Sequence, residues 1–155
     1  MRLSSPVIGE GERIDRRYSA RGRNELPPLC VADVPPGTRS LAIVVEDPDS
    51  PLGDVTHWLA WNIPPQTRQL DAVHLPQGCR LGTNSFGKVG YRGPTPPEGR
   101  HRIRFVLLAL DMAPSLPRGA NRGAFEHAVS GHVLARAELT GFMDASEAGT
   151  DGASP

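Results

Sequence analysis

Lysine is all but missing from this chain: of the 17 basic side chains only Lys88 is not an arginine. Arginine suits planar anion contacts, but a bias this even reflects a coding or lineage preference and points to no single site. Neither sign of charge is in excess, 17 acids standing against 17 bases, which argues against a protein that holds nucleic acid through bulk electrostatics. Cysteine is scarce. Cys30 and Cys79 lie far apart with no metal-like spacing and read as free thiols of a reducing compartment. No apolar run approaches the roughly 18 residues that a membrane span requires, and no charged-then-apolar leader is present. The expectation is therefore a soluble, cytoplasmic protein without a membrane span.

What is present is a set of short apolar runs cut by proline and glycine. At 155 residues the chain reads as one domain, residues 1–143, long enough to bury about two-thirds of its unfolded surface. Residues 144–155 are small and polar and read as a flexible tail. Residues 41–45 (LAIVV) and 58–63 are β-branched or aromatic and bounded by turn residues, so they read as buried strands. Residues 103–110 (IRFVLLAL) are apolar on both alternating faces, which places them centrally in a sheet covered on both sides. Leu3, the Val7 and Ile8 pair, residues 30–34 and residues 70–75 are candidate minor strands. Residues 121–130 are the one good helix candidate, with Asn121 to cap it and Gly131 to end it. Residues 132–142 read as a last strand because Gly131 interrupts the helical pattern. The arginine-rich patch at 13–23, flanked by acids, reads as a solvated surface. Strands outnumber helices and no βαβ alternation appears, so the fold class is mainly β and antiparallel.

One stretch organises the rest: DPDSPLGDVTHWLAW, residues 47–61. Asp47 closes one apolar run, two prolines and a glycine turn the chain, and His57 precedes the next run. A second proline-glycine loop, GYRGPTPPEGRH at 90–101, ends in His101 and again enters an apolar run. An acid at one strand's exit and a histidine at the next strand's entrance can meet at one rim, where loops on a rigid scaffold carry binding chemistry.

Several familiar sites are excluded. DPDSPLGD has proline where a calcium loop needs a ligand, its glycine comes one place late, and no closing glutamate follows. Gly87 and Lys88 lack the strand and helix of a P-loop. GTNSFG (82–87) misses the hydrolase elbow by one residue. HExxH and CxxC are absent. Two histidines and a carboxylate admit a metal reading as a facial triad, but neither histidine sits in a ligand spacing, and no metal or other cofactor is expected. The stronger reading is a small anion pocket. Histidine donates from both ring nitrogens when protonated, a neighbouring carboxylate fixes its orientation, and glycine-rich backbone approaches a phosphate closely. Asp47 then steadies a histidine instead of touching the anion, and Tyr91 is the aromatic placed nearest the pocket. His74 and His127 read as surface residues and His132 as structural. Trp58 and Trp61 read as core or pocket wall. The rival from another class is a hydrolase or lyase in which His57 or His101 is a general base oriented by Asp47.

These residues carry a family signature. DPDSP at 47–51, HW-x-x-WN at 57–62, the run 82–111 and GHVLARAEL at 131–139 resemble the phosphatidylethanolamine-binding proteins, in particular the bacterial Raf kinase inhibitor-like branch. The resemblance covers nearly the whole chain, residues 3–142. It implies a large central antiparallel sheet with a smaller sheet against it and one or two short helices. It also implies a pocket, at Asp47, Pro51, His57, Gly93 and His101, that takes phosphate-like anions or phospholipid and nucleotide head groups, and a homodimer as in bacterial relatives; the regulatory roles of eukaryotic relatives are not carried over. The residues themselves favour a non-enzymatic binding protein, with regulation of a partner protein as a further expectation. One departure stands out: Ile103 occupies a place where the family usually has tyrosine, so a hydroxyl is lost near the pocket.

Overall fold

Three apolar runs become the three central strands of one sheet in the computed structural model, which describes residues 1–145. In chain order the strands are β1 (Arg2–Ser4), β2 (Leu29–Ala32), β3 (Ser40–Asp47), β4 (Val55–Ile63), β5 (Gln69–Leu70), β6 (Arg80–Leu81), β7 (Arg100–Leu110) and β8 (Val133–Asp144), with helix α1 (Arg122–Val129) between β7 and β8. The large sheet has the order β6-β4-β3-β7-β8 and the small one β1-β2-β5, and all their named pairings are antiparallel. The expected class and architecture hold.

Every residue of β3 is buried, because the sheet is covered on both faces. Leu41, Ile43 and Val45 of β3, with Ile103, Phe105 and Leu107 of β7, face the small sheet and its Leu3, Leu29, Val31 and Leu70. Ala42, Val44, Val106, Leu108 and Trp61 face the other way, against Phe125 and Val129 of α1. Trp61 and Phe125 meet with ring centroids 6.1 Å apart. Both tryptophans are core residues, 2 % and 0 % exposed. The helix begins where Asn121 accepts the Ala124 N–H at 2.9 Å, and Gly131 follows it at φ +81, a conformation that glycine adopts without strain.

Some boundaries differ from the sequence reading. Val7 and Ile8 form no strand; Ile8 is core all the same, 2 % exposed. The extended piece at 70–75 shrinks to Gln69–Leu70, and the short β6 was not foreseen. Asp144 still belongs to β8, while residues 146–155 of the expected tail lie outside the described residues. The arginine-rich patch is more than solvated surface. It holds a 3-10 turn, Arg16–Tyr18, started by the Asp15 carboxylate accepting from the Arg17 N–H, and Tyr18 and Ser19 are buried. Just ahead of it, Gly11 and Ile14 donate to the Thr140 and Phe142 carbonyls, closing that part of the free edge of β8.

Candidate functional site

Because β3 runs antiparallel to both β4 and β7, its exit lies beside their entrances. Asp47, the last residue of β3, therefore sits between the start of β4, which brings Val55 and His57, and the start of β7, which brings His101. These residues share one cavity of about 160 Å³, together with Ser50, Pro51, Leu52, Phe86, Thr95, Pro96 and Pro97.

His57 reaches that cavity through an irregularity. Val45 pairs with Trp58 and Glu46 with Thr56, so His57 is the extra residue of a β-bulge. Regular alternation would send it to the face of Leu59, against α1. The bulge inserts one residue and re-aims the side chain, placing His57 with Asp47 and Val55 on the opposite face. Its backbone is tied to the second loop, the Arg92 N–H donating to the His57 carbonyl at 3.0 Å. Its Nδ1 donates to the Arg92 carbonyl at 2.6 Å, which fixes the tautomer, since a carbonyl only accepts. Nε2 is buried and has no hydrogen-bond partner. Burial holds the His57 pKa below its ordinary 6.5, and the Arg92 and His101 charges act the same way against the bond to Arg92 and the Asp47 charge.

His101 is the partner of Asp47. Its Nδ1 stands 2.6 Å from Asp47 Oδ2. The other carboxylate oxygen accepts the Asp49 N–H at 2.7 Å, so Asp47 is occupied on both sides and holds one imidazole while shaping the turn that follows. Asp49 in turn grips Arg102 through a two-pronged contact, Oδ2 to Nε at 3.0 Å and Oδ1 to Nη2 at 2.8 Å, and also accepts the Arg102 N–H. Those bonds hold the Asp49 carboxyl down at about 2. The lip that carries Pro51 and Leu52 is thus pinned to the start of β7. Leu52 itself is 92 % exposed.

The opposite wall comes from the 84–90 turn. Asn84 accepts the Phe86 and Lys88 N–H groups and donates to the Gly90 carbonyl, and Ser85 is bonded to the backbone of Thr56. This sets Phe86 with its ring centroid 5.7 Å from that of His57.

Asp47, Pro51, His57 and His101 therefore come together; Tyr91 and Gly93 do not join them. The Tyr91 hydroxyl donates to the Tyr18 carbonyl at 2.6 Å, and its ring lines a different cavity with Trp58 and Leu81. Gly93 donates its N–H to the Asn24 side chain, and a Cβ there would come within 2.1 Å of the Tyr18 carbonyl oxygen. Both serve to dock the glycine loop on the 3-10 turn. Ile103 is fully buried between the sheets. His74 and His132 are paired with Asp71 and Asp111 away from the cavity. Sequence reasoning missed Leu52, Val55, Phe86, Thr95, Pro96 and Pro97. Their signal was membership in the same two proline-rich loops and the turn between them. Among the described residues no group of three or more His, Cys, Asp or Glu side chains is placed to hold a metal, and no helix is long and apolar enough to cross a membrane.

Comparison with known proteins agrees with this geometry. Residues 4–144 match the family model described as phosphatidylethanolamine-binding protein. A UPF0098 protein of Methanothermobacter thermautotrophicus is 42 % identical over 146 residues, 91 % of this chain and 97 % of the relative. One from Pyrococcus horikoshii is 40 % identical, over 90 % of this chain and 75 % of the relative. Among solved structures, a phosphatidylethanolamine-binding protein homologue of Chlamydia trachomatis superposes with a TM-score of 0.86 at 35 % identity, covering 91 % of this chain and 95 % of that one. Escherichia coli YbcL gives the same TM-score at 28 % identity, covering 92 % and 97 %. With the signature residues gathered at one end of a shared two-sheet fold, the chain belongs to the phosphatidylethanolamine-binding protein family.

Proposed function

We propose that this protein binds a small ligand through an anionic, phosphate-like head group seated between His57 and His101, and that it does so without turning the ligand over. The observation that carries the reading is the state of the two imidazoles. Each has Nδ1 engaged, His57 on a carbonyl and His101 on the Asp47 carboxylate, so each has only Nε2 to offer, and on His57 that nitrogen is buried without a partner. A buried polar group left unsatisfied costs about 1–3 kcal/mol, and a ligand group that reaches it recovers that loss. A neutral imidazole so arranged accepts at Nε2, whereas an imidazolium donates. A phosphate monoanion has both a hydroxyl to give and oxygens to receive. A phosphoethanolamine group offers the same pair, its ammonium donating and its phosphate accepting. Pro51, Leu52, Val55, Phe86, Pro96 and Pro97 supply apolar walls for whatever the head group carries. The cavity volume, about 160 Å³, suits a head group with a short substituent and is smaller than the roughly 300–1,000 Å³ that encloses drug-sized ligands.

The test is a titration of wild type, His57→Ala and His101→Ala with inorganic phosphate and with phosphoethanolamine, followed by chemical shifts. Each variant is expected to lose at least about tenfold in affinity, the loss of one charge-assisted hydrogen bond, while remaining folded. Unchanged affinity in either variant removes that histidine from the site. Sulfate, which has no proton to give near neutral pH, is expected to bind more weakly than phosphate. One observation favours a second reading: the 2.6 Å contact of Asp47 with His101 has the form of an oriented general base. Turnover of phosphate esters by the wild type, abolished in His101→Ala, would establish that reading in place of simple binding.

A further inference from the structure

Around the mouth of the cavity nearly every guanidinium answers to a carboxylate. Arg102 is held by Asp49 and Arg100 by Asp144, just as on the opposite face of the sheet Arg104 and Arg122 are held by Glu46. Arg92 differs. Its guanidinium carbon lies 3.9 Å from the centroid of the Phe86 ring, and among the described residues no carboxylate is paired with it. Phe86 is itself part of the cavity wall and 43 % exposed, and its ring neighbours His57. The two ring separations put the guanidinium within a single small molecule's reach of the imidazole. The backbone of Arg92 cannot wander, since it exchanges two hydrogen bonds with His57. Stacking on an aromatic face leaves the edge N–H groups of a guanidinium free, and their forked geometry matches carboxylate and phosphate oxygens. Arg92 is not part of the cavity lining, so an anion seated at His57 and His101 does not use it. A second anionic group on the same ligand can.

We propose that Arg92, stacked on Phe86, is a second anion-recognition point at the pocket rim, and that the preferred ligands carry two anionic groups joined by a short linker. The inference rests on the head-group reading above and adds to it the class of substituent that the ligand bears.

Titration with a series of α,ω-alkyl bisphosphonates, of one to four methylenes, tests it against alkyl monophosphonates of equal length at constant ionic strength. Wild type is expected to prefer the best bisphosphonate over its monophosphonate by about tenfold, the equivalent of one charge-assisted contact. Arg92→Gln is expected to close that gap, and Arg92→Lys to keep part of it because the charge remains while the fork is lost. A wild type that binds both series equally, or a preference that survives in Arg92→Gln, overturns the assignment of Arg92 and leaves the head-group site standing. A wild type that binds neither series overturns both readings.

Discussion

Glu46 and Asp47 are neighbours on one strand, both carboxylates and both buried, 3 % and 5 % exposed, yet they face opposite sides of the sheet and serve opposite ends. On the α1 side, Glu46 takes Arg104 Nε at 2.6 Å and Arg122 Nη2 at 2.8 Å, and Arg122 also reaches the Thr56 hydroxyl. Burial alone would push its carboxyl up, but the bonds and charges of the two guanidiniums prevail and hold it below the ordinary 4.5. The Glu46 carboxylate is thus fully answered, although on the same face the Trp61 Nε1 is buried without a hydrogen-bond partner. On the other side, Asp47 steadies His101, while the adjacent His57 keeps a buried nitrogen without a partner beside an open cavity. One strand end thus builds a strut on one face and lines the candidate pocket on the other. The difference lies in the surroundings of each carboxylate: two arginines answer Glu46, whereas Asp47 holds an imidazole at the edge of a cavity where the neighbouring His57 Nε2 has no partner.

The largest expected effect is on the strut. Glu46→Ala leaves Arg104 without its carboxylate and Arg122 with Glu126 alone, and is expected to cost about 3 kcal/mol, read as a lower midpoint in urea, with phosphate affinity of the folded protein little changed. A loss below about 1 kcal/mol, or a collapse of affinity, breaks the contrast between the faces. Gly93→Ala comes next. Its methyl would collide with the backbone of Tyr18, and overpacking of this kind costs about 1–3 kcal/mol. If instead stability holds and anion affinity vanishes, Gly93 belongs to the pocket and not to the loop's anchorage.

Acidity sharpens the comparison further. The His57 pKa is lowered by burial, so the unfolded chain takes up its proton first as pH falls below about 6.5, and stability declines through that window. An anion that favours the protonated ring works against the decline, so phosphate is expected to protect more at pH 5.5 than at pH 7.5. Thermal melts at the two values check this, and equal protection at both separates His57 from the anion. The smallest effect belongs to the lip. Arg102→Gln releases an exposed fork, worth at most about 1 kcal/mol, and is expected to lift the Asp49 carboxyl from about 2 toward its ordinary 3.8, followed by carbon-detected titration. Affinity should fall by less than about fivefold.

Much of this was legible in the residues. Apolar runs on both alternating faces identified the central strands, and Asn121 and Gly131 marked the helix ends. The proline-glycine loops pointed to Asp47, His57 and His101, and the family resemblance added Pro51. Tyr91, expected at the pocket from its place in the glycine loop, and Gly93, expected there from the resemblance, lie away from the cavity that holds the other four. Their side chain and backbone face the turn at Tyr18, and no local pattern announces a contact between positions 73 residues apart. Phe86 and Arg92 went unread for the same reason, since stacking between them depends on how the Asn84 turn is folded.

The chain's own pattern determined the class, the core strands and the identity of the residues with chemistry to offer, because burial and turn formation act over a few neighbouring positions. Which histidine Asp47 would hold was a tertiary decision. So was the face on which His57 would appear: strict alternation assigns it to the helix side, and one extra residue in the pairing of β3 with β4 moves it to the cavity. A bulge is a property of two strands in register, and a single strand's sequence does not contain it.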